Sequence, residues 1–266
     1  MPELPEIETF KRYLDATSLR QKIARVTVTK QRILEGVSSR QLASALKNHS
    51  FRDSERHGKY LAIGLDDGRQ LVLHFGMTGC LHYVEEAEPD SRHARMIITF
   101  DNGHRLDYDN KRMLGRVRLV KDFEHLVEQL DLGPDALELS LACFDERLHG
   151  HGGAIKSTLM NQSIVAGLGN TYTDEILFQA RIHPATPVDA LSEAERKTVY
   201  RMMLKVLHKA IAVKADPERL PRSYLVPHRR AGARCPRGNG TIRQTRVAGR
   251  SAYFCPACQP RRKRSR

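Results

Sequence analysis

The chain has 266 residues, 40% of them hydrophobic, with 44 Lys and Arg against 31 Asp and Glu, a net charge of +13. That length suits two domains, or one with an appendage, each with a real core. No apolar run of about 18 residues is present, so no membrane span is expected; the N-terminus lacks the apolar segment of a secretory signal, and five cysteines, an odd number, argue against structural disulfides and for a cytosolic protein.

The chain opens Met1-Pro2-Glu3-Leu4-Pro5-Glu6. Proline in second position is small enough for Met1 to be removed, which leaves Pro2 as a secondary amine. An α-amino group titrates at roughly 7.7–8.0, so a fraction is unprotonated and nucleophilic at neutral pH. Such an amine can attack a sugar C1′ or an aldehyde and form a Schiff base. Glu3, covalently next to it, is a candidate proton donor. The same residues also suit a plain helix start, with an early proline and acidic groups in the first turn.

Glu3–Leu14 reads as an amphipathic helix, with Ile7, Phe10 and Leu14 on one face. Ile23–Thr29 alternates like a strand, and Ser38–Lys47 is a short helix with a serine start and Leu42 and Leu46 turned inward. Short β-type runs follow at Tyr60–Leu65, Gln70–Phe75, Met96–Phe100, Arg105–Tyr108 and Arg116–Val120, separated by turn signals such as Asp66-Asp67-Gly68 and Asp101-Asn102-Gly103. That pattern predicts an antiparallel sandwich or barrel with helices at its ends. Leu132-Gly133-Pro134-Asp135 marks the expected boundary.

Beyond it the period becomes helical, at Ile155–Gln162, Thr171–Gln179 and Ser192–Val213. The last carries a capping box, Ser192 with Glu195, and a stripe of Val199, Met202, Val206 and Ala210. Between the first two lies Val165-Ala166-Gly167-Leu168-Gly169-Asn170, whose glycines let backbone approach something closely ahead of a helix N-terminus that can receive a phosphate. Helix–turn–helix geometry fits this stretch; so does an ordinary turn. From Arg219 onward there are 14 Lys and Arg and no acidic residue, which leaves the first 218 residues at −1. That block reads as a surface for a polyanion, nucleic acid ahead of membrane. Within it, two alternating runs around Val247-Ala248-Gly249-Arg250 read as a hairpin. Cys255 and Cys258 have zinc-knuckle spacing, but the partner of Cys235 that a four-cysteine ribbon requires is Gly238.

Taken together these motifs resemble the formamidopyrimidine-DNA glycosylase / endonuclease VIII family along essentially the whole chain. The resemblance rests on Pro2-Glu3-Leu4-Pro5-Glu6, His57-Gly58-Lys59-Tyr60, His74-Phe75-Gly76-Met77-Thr78-Gly79, Leu132-Gly133-Pro134, Gly167-Leu168-Gly169-Asn170, Glu175, Ile182-His183-Pro184 and the tail hairpin. It implies an α+β fold: a catalytic β-sandwich flanked by helices over 1–131, a helix–two-turn–helix domain over 132–220, a zinc-finger-like hairpin over 221–260 and a basic tail over 261–266, with damaged double-stranded DNA in the cleft between the modules.

The implied activity is that of a monomeric, cytoplasmic base-excision-repair DNA glycosylase and AP lyase with no organic cofactor. Pro2 would displace the damaged base and form the Schiff base, Glu3 would act as acid/base at the sugar, and elimination would cut the strand. Lys59 would contact phosphate and assist elimination, with Asn170 and Arg250 as phosphate clamps. Glu6, Lys156 and Glu175 match positions near the lesion pocket. Flipping a base leaves a hole in the stack that apolar wedges can fill; Met77, Arg112 and Leu114 match those residues, Leu114 standing where phenylalanine is usual.

Three departures from the family pattern stand out. Cys235, Cys255 and Cys258 would hold zinc with His228 or water as fourth ligand, or the hairpin folds without metal. The stretch Asp216–Arg230, short for a loop that caps an oxidised purine, weakens 8-oxoguanine as the preferred base. Leu114 alters the wedge. The alternative of a different class is a non-catalytic damaged-DNA-binding protein of the same fold; the intact Pro2-Glu3 pair with Lys59 favours the enzyme.

Overall fold

The computed structural model describes residues 2–238 and 240–261. Of the expected basic tail, only Arg261 lies within the described residues. The chain divides into two compact units, residues 1–2 with Glu6–Leu130, and Glu3–Pro5 with Asp131–Arg266.

The first unit takes its helix from α1 (Leu4–Thr17) and its strands in order: β1 (Ile23–Val28), then helix α2 (Ser39–Leu46), β2 (Phe51–His57), β3 (Tyr60–Leu65), β4 (Gln70–His74), β5 (Gly79–Glu85), β6 (Ala94–Phe100), β7 (His104–Asn110), β8 (Arg116–Val120) and helix α3 (Phe123–Gln129). The strands form two antiparallel four-stranded sheets, ordered β1-β6-β7-β5 and β2-β3-β4-β8. Alternate residues of both sheets, among them Leu61, Ile63, Leu71, Leu73, Met96, Ile98, Leu106 and Tyr108, share one buried cluster with Ile7 and Leu14 of α1. The expected sandwich is therefore present. Phe123 and Leu126 of α3 cover Ala62 and Val72 on the outer side of one sheet. Helix α2 starts as its sequence requires, with Ser38 and Gln41 closing a capping box.

The second unit contains α4 (Leu141–Leu148), α5 (Ile155–Leu159), α6 (Asn170–Ala180), α7 (Glu193–Ala212) and the hairpin β9 (Arg243–Val247) and β10 (Arg250–Phe254). Its core gathers Phe144, Ile155, Leu159, Tyr172, Ile176, Val199, Met203, Val206 and Leu207, together with Leu4 from the start of the chain. The inward face of α7 uses Met203, with Met202 only partly buried. Ser192 and Glu195 form the predicted capping box. The hairpin turns through Ala248 and Gly249, both at positive φ, with Val247 paired to Arg250. Two left-handed residues in a two-residue loop match the right-handed twist of the flanking strands. No helix among the described residues is long and apolar enough to cross a membrane.

Candidate active site and nucleic-acid interface

Glu3 belongs to the second unit and is held there by backbone amides. It is 1% exposed. One oxygen accepts from the Gly169 amide at 2.8 Å and the Tyr172 amide at 3.2 Å; the other accepts from the Thr171 amide at 2.8 Å. These are amides of the first turn of α6, which have no partner inside the helix and lie at the positive end of its dipole. The expectation of a phosphate at this helix start therefore meets a different occupant: the protein's own carboxylate. The glycines explain the fit. A Cβ on Gly169 would stand 2.4 Å from the Glu3 carboxyl carbon, and one on Gly167 would stand 2.6 Å from a Leu4 methyl. The Leu4 amide also donates to the Gly167 carbonyl at 3.1 Å. Loop 167–169 is thus shaped to hold residues 3 and 4, the two that follow Pro2.

In the first unit, Pro2 and Glu6 are half-buried at the start of α1. Lys59 is half-buried in the tight turn between β2 and β3, after Gly58 at φ +56°. Arg56 braces that turn, donating to the Gly58 carbonyl at 3.2 Å and to Glu8 at 3.2 Å. The neighbourhood is cationic. Burial first, then Lys59, Arg118 and Arg116, drives the His74 ring down to about 4, so it is neutral at physiological pH.

The three residues expected to act as wedges lie on loops that meet, although 35 or more residues separate Met77 from the other two. Met77 is 40% and Leu114 38% exposed, unusually high for large apolar side chains, and Arg112 is exposed beside them in sequence. Their loops touch: a Cβ on Gly76 would meet the Leu114 carbonyl carbon at 2.5 Å, and Thr78 Oγ1 accepts from the Arg112 amide at 3.0 Å. Asn110 ties them from beneath. Fully buried, it donates to the Phe75 carbonyl at 3.1 Å and accepts from the Leu114 amide at 3.2 Å. Sequence reading passed over Asn110, because an asparagine before a basic turn gives no sign that its side chain points inward.

The remaining candidates lie in the second unit. Arg250 is exposed at the hairpin turn and lines a shallow cavity of about 190 Å³ with Ser157, Met160, Asn161, Val247 and Ala248. Asn170 is the first residue of α6, and its buried Oδ1 has no hydrogen-bond partner among the described residues. Lys156 is 0% exposed. Its ammonium donates to Asp174 at 2.5 Å and to the Ser251 carbonyl of β10 at 2.8 Å. Asp174 also accepts from Arg229 at 2.9 Å and from the Tyr253 amide at 3.1 Å, and the Arg229 guanidinium lies over the Tyr253 ring. Burial pushes the Asp174 carboxyl up and the Lys156 ammonium down, and the ion pair opposes both shifts. Lys156 thus fastens the hairpin to α6. Asp174 and Arg229 were not legible in sequence, since Asp174 sits in an ordinary helical run.

Part of the basic block is likewise structural. Arg237 donates to the Phe178 and Gln179 carbonyls at the end of α6 and stacks on the Phe178 ring, whereas Arg219, Arg222, Arg230, Arg234, Arg243, Arg246 and Arg250 are exposed.

Cys235, Cys255 and Cys258 are buried together, their sulfurs within 4.8 Å of one another and the Cys235 and Cys258 sulfurs 3.7 Å apart. Four thiolates around zinc stand about 3.8 Å from each other, so three corners of a tetrahedron are in place. No fourth cysteine joins them among the described residues; Gly238 lies three residues after Cys235, and a Cβ added there would meet nothing within 4 Å. His228 lies outside the cluster and hydrogen-bonds the Arg222 carbonyl at 3.2 Å. The donor set fits a soft metal with water as fourth ligand. The same cysteines also pack with Phe178, Leu225 and Ile242 as a small core, and burial and the two neighbouring cysteines push the Cys258 thiol up to about 11.

A two-sheet sandwich, a helix–two-turn–helix and a cysteine-bearing hairpin define the helix–two-turn–helix class of DNA-repair proteins. Comparison with known proteins narrows this. The profile of the formamidopyrimidine-DNA glycosylase N-terminal domain matches residues 1–117, and that of the formamidopyrimidine-DNA glycosylase H2TH domain matches residues 132–220. The chain belongs to the formamidopyrimidine-DNA glycosylase / endonuclease VIII family. The formamidopyrimidine-DNA glycosylase of Symbiobacterium thermophilum is 36% identical over 274 residues, spanning 98% of this chain and 90% of the relative. That of Desulfitobacterium hafniense is 33% identical over 273 residues, spanning 97% and 100%. Among solved structures, the wild-type Lactococcus lactis protein in complex with N7-benzyl-Fapy-dG-containing DNA aligns with a TM-score of 0.88 at 30% identity, over 98% of this chain and 100% of the other. The same protein bound noncovalently to DNA containing an AP site aligns with a TM-score of 0.90 at 29% identity, over 97% and 100%.

Proposed function

We propose that this protein is a DNA glycosylase for oxidised bases in duplex DNA that also cleaves the resulting abasic site. The observation that carries the reading is Glu3. An acid that follows the N-terminal proline amine directly, and that is held by three backbone amides, suits acid/base work at the sugar bonded to that amine. The relatives' names and the DNA in the related structures point to the same substrate class.

The chemistry runs as follows. After removal of Met1, the Pro2 nitrogen attacks C1′ of the flipped nucleotide; the C1′–N bond to the base breaks, and the N–H proton that the resulting ammonium sheds passes to the departing base. Protonation at the ring oxygen by Glu3 opens the sugar and gives the iminium. Loss of a C2′ proton then expels the 3′ phosphate, and a second elimination expels the 5′ phosphate. Lys59 balances phosphate charge in these steps, with Asn170 and Arg250 holding the backbone. Met77 and Leu114 fill the vacated stack, and Arg112 hydrogen-bonds the orphaned partner base. Glu6 lies four residues after the nucleophile, in the first turn of α1, and Lys156 stiffens the hairpin that carries Arg250. The segment 216–230 is drawn down by Glu175, which accepts from the Val226 amide at 2.8 Å. That anchoring favours ring-opened or pyrimidine lesions over a purine that needs a cap. When zinc is bound, Cys235, Cys255 and Cys258 hold it and it supplies structural rigidity alone.

Borohydride trapping on a duplex with one abasic site tests the mechanism. A covalent protein–DNA adduct that disappears when Met1 is retained or Pro2 is substituted is the expected result. Binding of the same DNA without any adduct would turn the reading to a damage-binding protein.

A further inference from the structure

A second group of metal-ligating side chains lies away from the hairpin, on the β5 edge of the first unit's sheet. Cys80 and His82 stand two apart on β5 and so share a face. Asp109 of β7 is the direct cross-strand partner of Cys80. Donor atoms of the three lie within 4.8 Å of one another. Residues 79 and 110, the next pair in the ladder, lead into the loops that carry Met77 and Arg112.

The geometry separates two readings of a cysteine, a histidine and an aspartate. In a nucleophilic triad the carboxylate orients the imidazole from its far nitrogen while the near nitrogen faces the sulfur. Here one atom faces both: His82 Nε2 is 3.2 Å from Cys80 Sγ and 4.0 Å from Asp109 Oδ2. Three donors that point at one place make a ligand set, not a relay. Donors around a tetrahedral zinc stand about 3.3–3.6 Å apart, so the Cys80–His82 pair opens by about 0.4 Å and the His82–Asp109 pair closes by about 0.7 Å to accommodate the ion.

Asp109 supplies the second observation. It is 8% exposed, and its Oδ2 accepts from Ser91 Oγ. Its Oδ1 is buried with no hydrogen-bond partner among the described residues. The oxygen nearest His82 is Oδ2, the one placed to ligate; a thiol–imidazole hydrogen bond accounts for the Cys80–His82 contact, while the partnerless Oδ1 leaves the buried carboxylate one interaction short. The His82 side chain is 51% exposed, so the set opens to solvent and a water can complete four-coordination.

We infer that Cys80, His82 and Asp109 form a second divalent transition-metal site, of zinc type, that clamps β5 to β7 beneath the Met77 and Arg112–Leu114 loops. The mixed sulfur, nitrogen and oxygen donors select zinc or cobalt over magnesium or calcium. The role is structural, and binding releases the thiol proton to solvent.

The test uses the full chain and reads each cysteine separately. Metal-stripped protein is alkylated with and without zinc, and the labelled peptides are mapped. Zinc should slow modification of Cys80 at least tenfold and leave Cys143, which is outside both cysteine clusters, unchanged. His82→Ala should abolish the Cys80 protection while the hairpin cysteines keep theirs. Cobalt uptake, counted on the same proteins, should fall by one equivalent in Cys80→Ala. Equal alkylation of Cys80 with and without zinc, protection that survives His82→Ala, or equal cobalt uptake would each overturn the assignment.

Discussion

The Glu3 carboxylate accepts the Gly169 amide at 2.8 Å, and only a residue without a side chain could bring that amide so close. Gly169→Ala therefore forces either the carboxylate or the α6 start to move. Its added Cβ would lie 2.4 Å from the Glu3 carboxyl carbon, a distance no native contact shows. Overpacking and the lost helix cap together should lower stability by about 3 kcal/mol. Urea unfolding measures it; a loss below about 0.5 kcal/mol would mean that Glu3 does not occupy this position in solution.

Glu3→Gln tests charge with shape held nearly constant. Oxygens on both sides of the carboxylate accept amides, so one side of a glutamine must turn its NH2 group against a donor. A stability loss of about 1–2 kcal/mol is expected. Strand cleavage in single-turnover assays should fall by about 100-fold or more, with DNA binding kept, since proton transfer typically contributes that much. Undiminished cleavage would remove Glu3 from the chemistry.

The apolar runs of β3 and β4 were legible because both of their faces are buried, one in the sandwich core and the other under α3. Strand β2, Phe-Arg-Asp-Ser-Glu-Arg-His, was not. It is an edge strand with only Phe51 fully buried, and its polarity comes from ion pairs such as Arg52 with Asp53 and Arg56 with Glu8. Strand β5 and helices α3 and α4 were missed for a similar reason: each is short and half-exposed, so tertiary packing outweighs local pattern. The glycines of loop 167–169 signalled a close approach correctly but not its object. The approaching group comes from 160 or more residues away in sequence, and no local pattern encodes that. The Lys156–Asp174–Arg229 network was invisible on the same ground.

Lys156→Met distinguishes a lysine that touches DNA from one that holds the hairpin. The change leaves Asp174 buried with one cation fewer, which should lower stability by about 3–5 kcal/mol. Amide exchange in β10 should rise most at Tyr253, whose amide donates to Asp174. Asp174→Asn added to Lys156→Met should restore part of the loss. Weaker DNA binding with unchanged stability and exchange would assign Lys156 to the DNA instead.

His74 makes the first unit sensitive to acid. Its ordinary value is 6.5, and burial with the nearby cations lowers it to about 4 in the fold. Between those values the unfolded chain takes up a proton that the native ring refuses. Stability therefore falls as pH drops from 6.5 toward 4, by on the order of 3 kcal/mol, and this contribution is flat above 6.5. His74→Gln should remove that slope from denaturation midpoints across the range; an identical slope in the variant would rule the ring out as its source.

Glu175 acts in the opposite sense over nearly the same range. Burial raises its carboxyl from 4.5 to about 7, against the opposing hydrogen bonds from Gln179 and the Val226 and Leu225 amides. The native state thus holds a proton that the unfolded state has already released. Stability is greatest below pH 4.5 and is lost as pH rises through 7, by on the order of 3 kcal/mol. The strain falls on the Leu225–Val226 segment, because Glu175 Oε2 is the acceptor for the Val226 amide. Glu175→Gln is neutral at every pH and keeps an acceptor in place. Wild type should lose about 2 kcal/mol more than the variant between pH 5 and pH 8. Groups common to both proteins cancel in that difference. A difference near zero would show that the carboxyl titrates as an ordinary one, and that the 216–230 segment is anchored without regard to its charge.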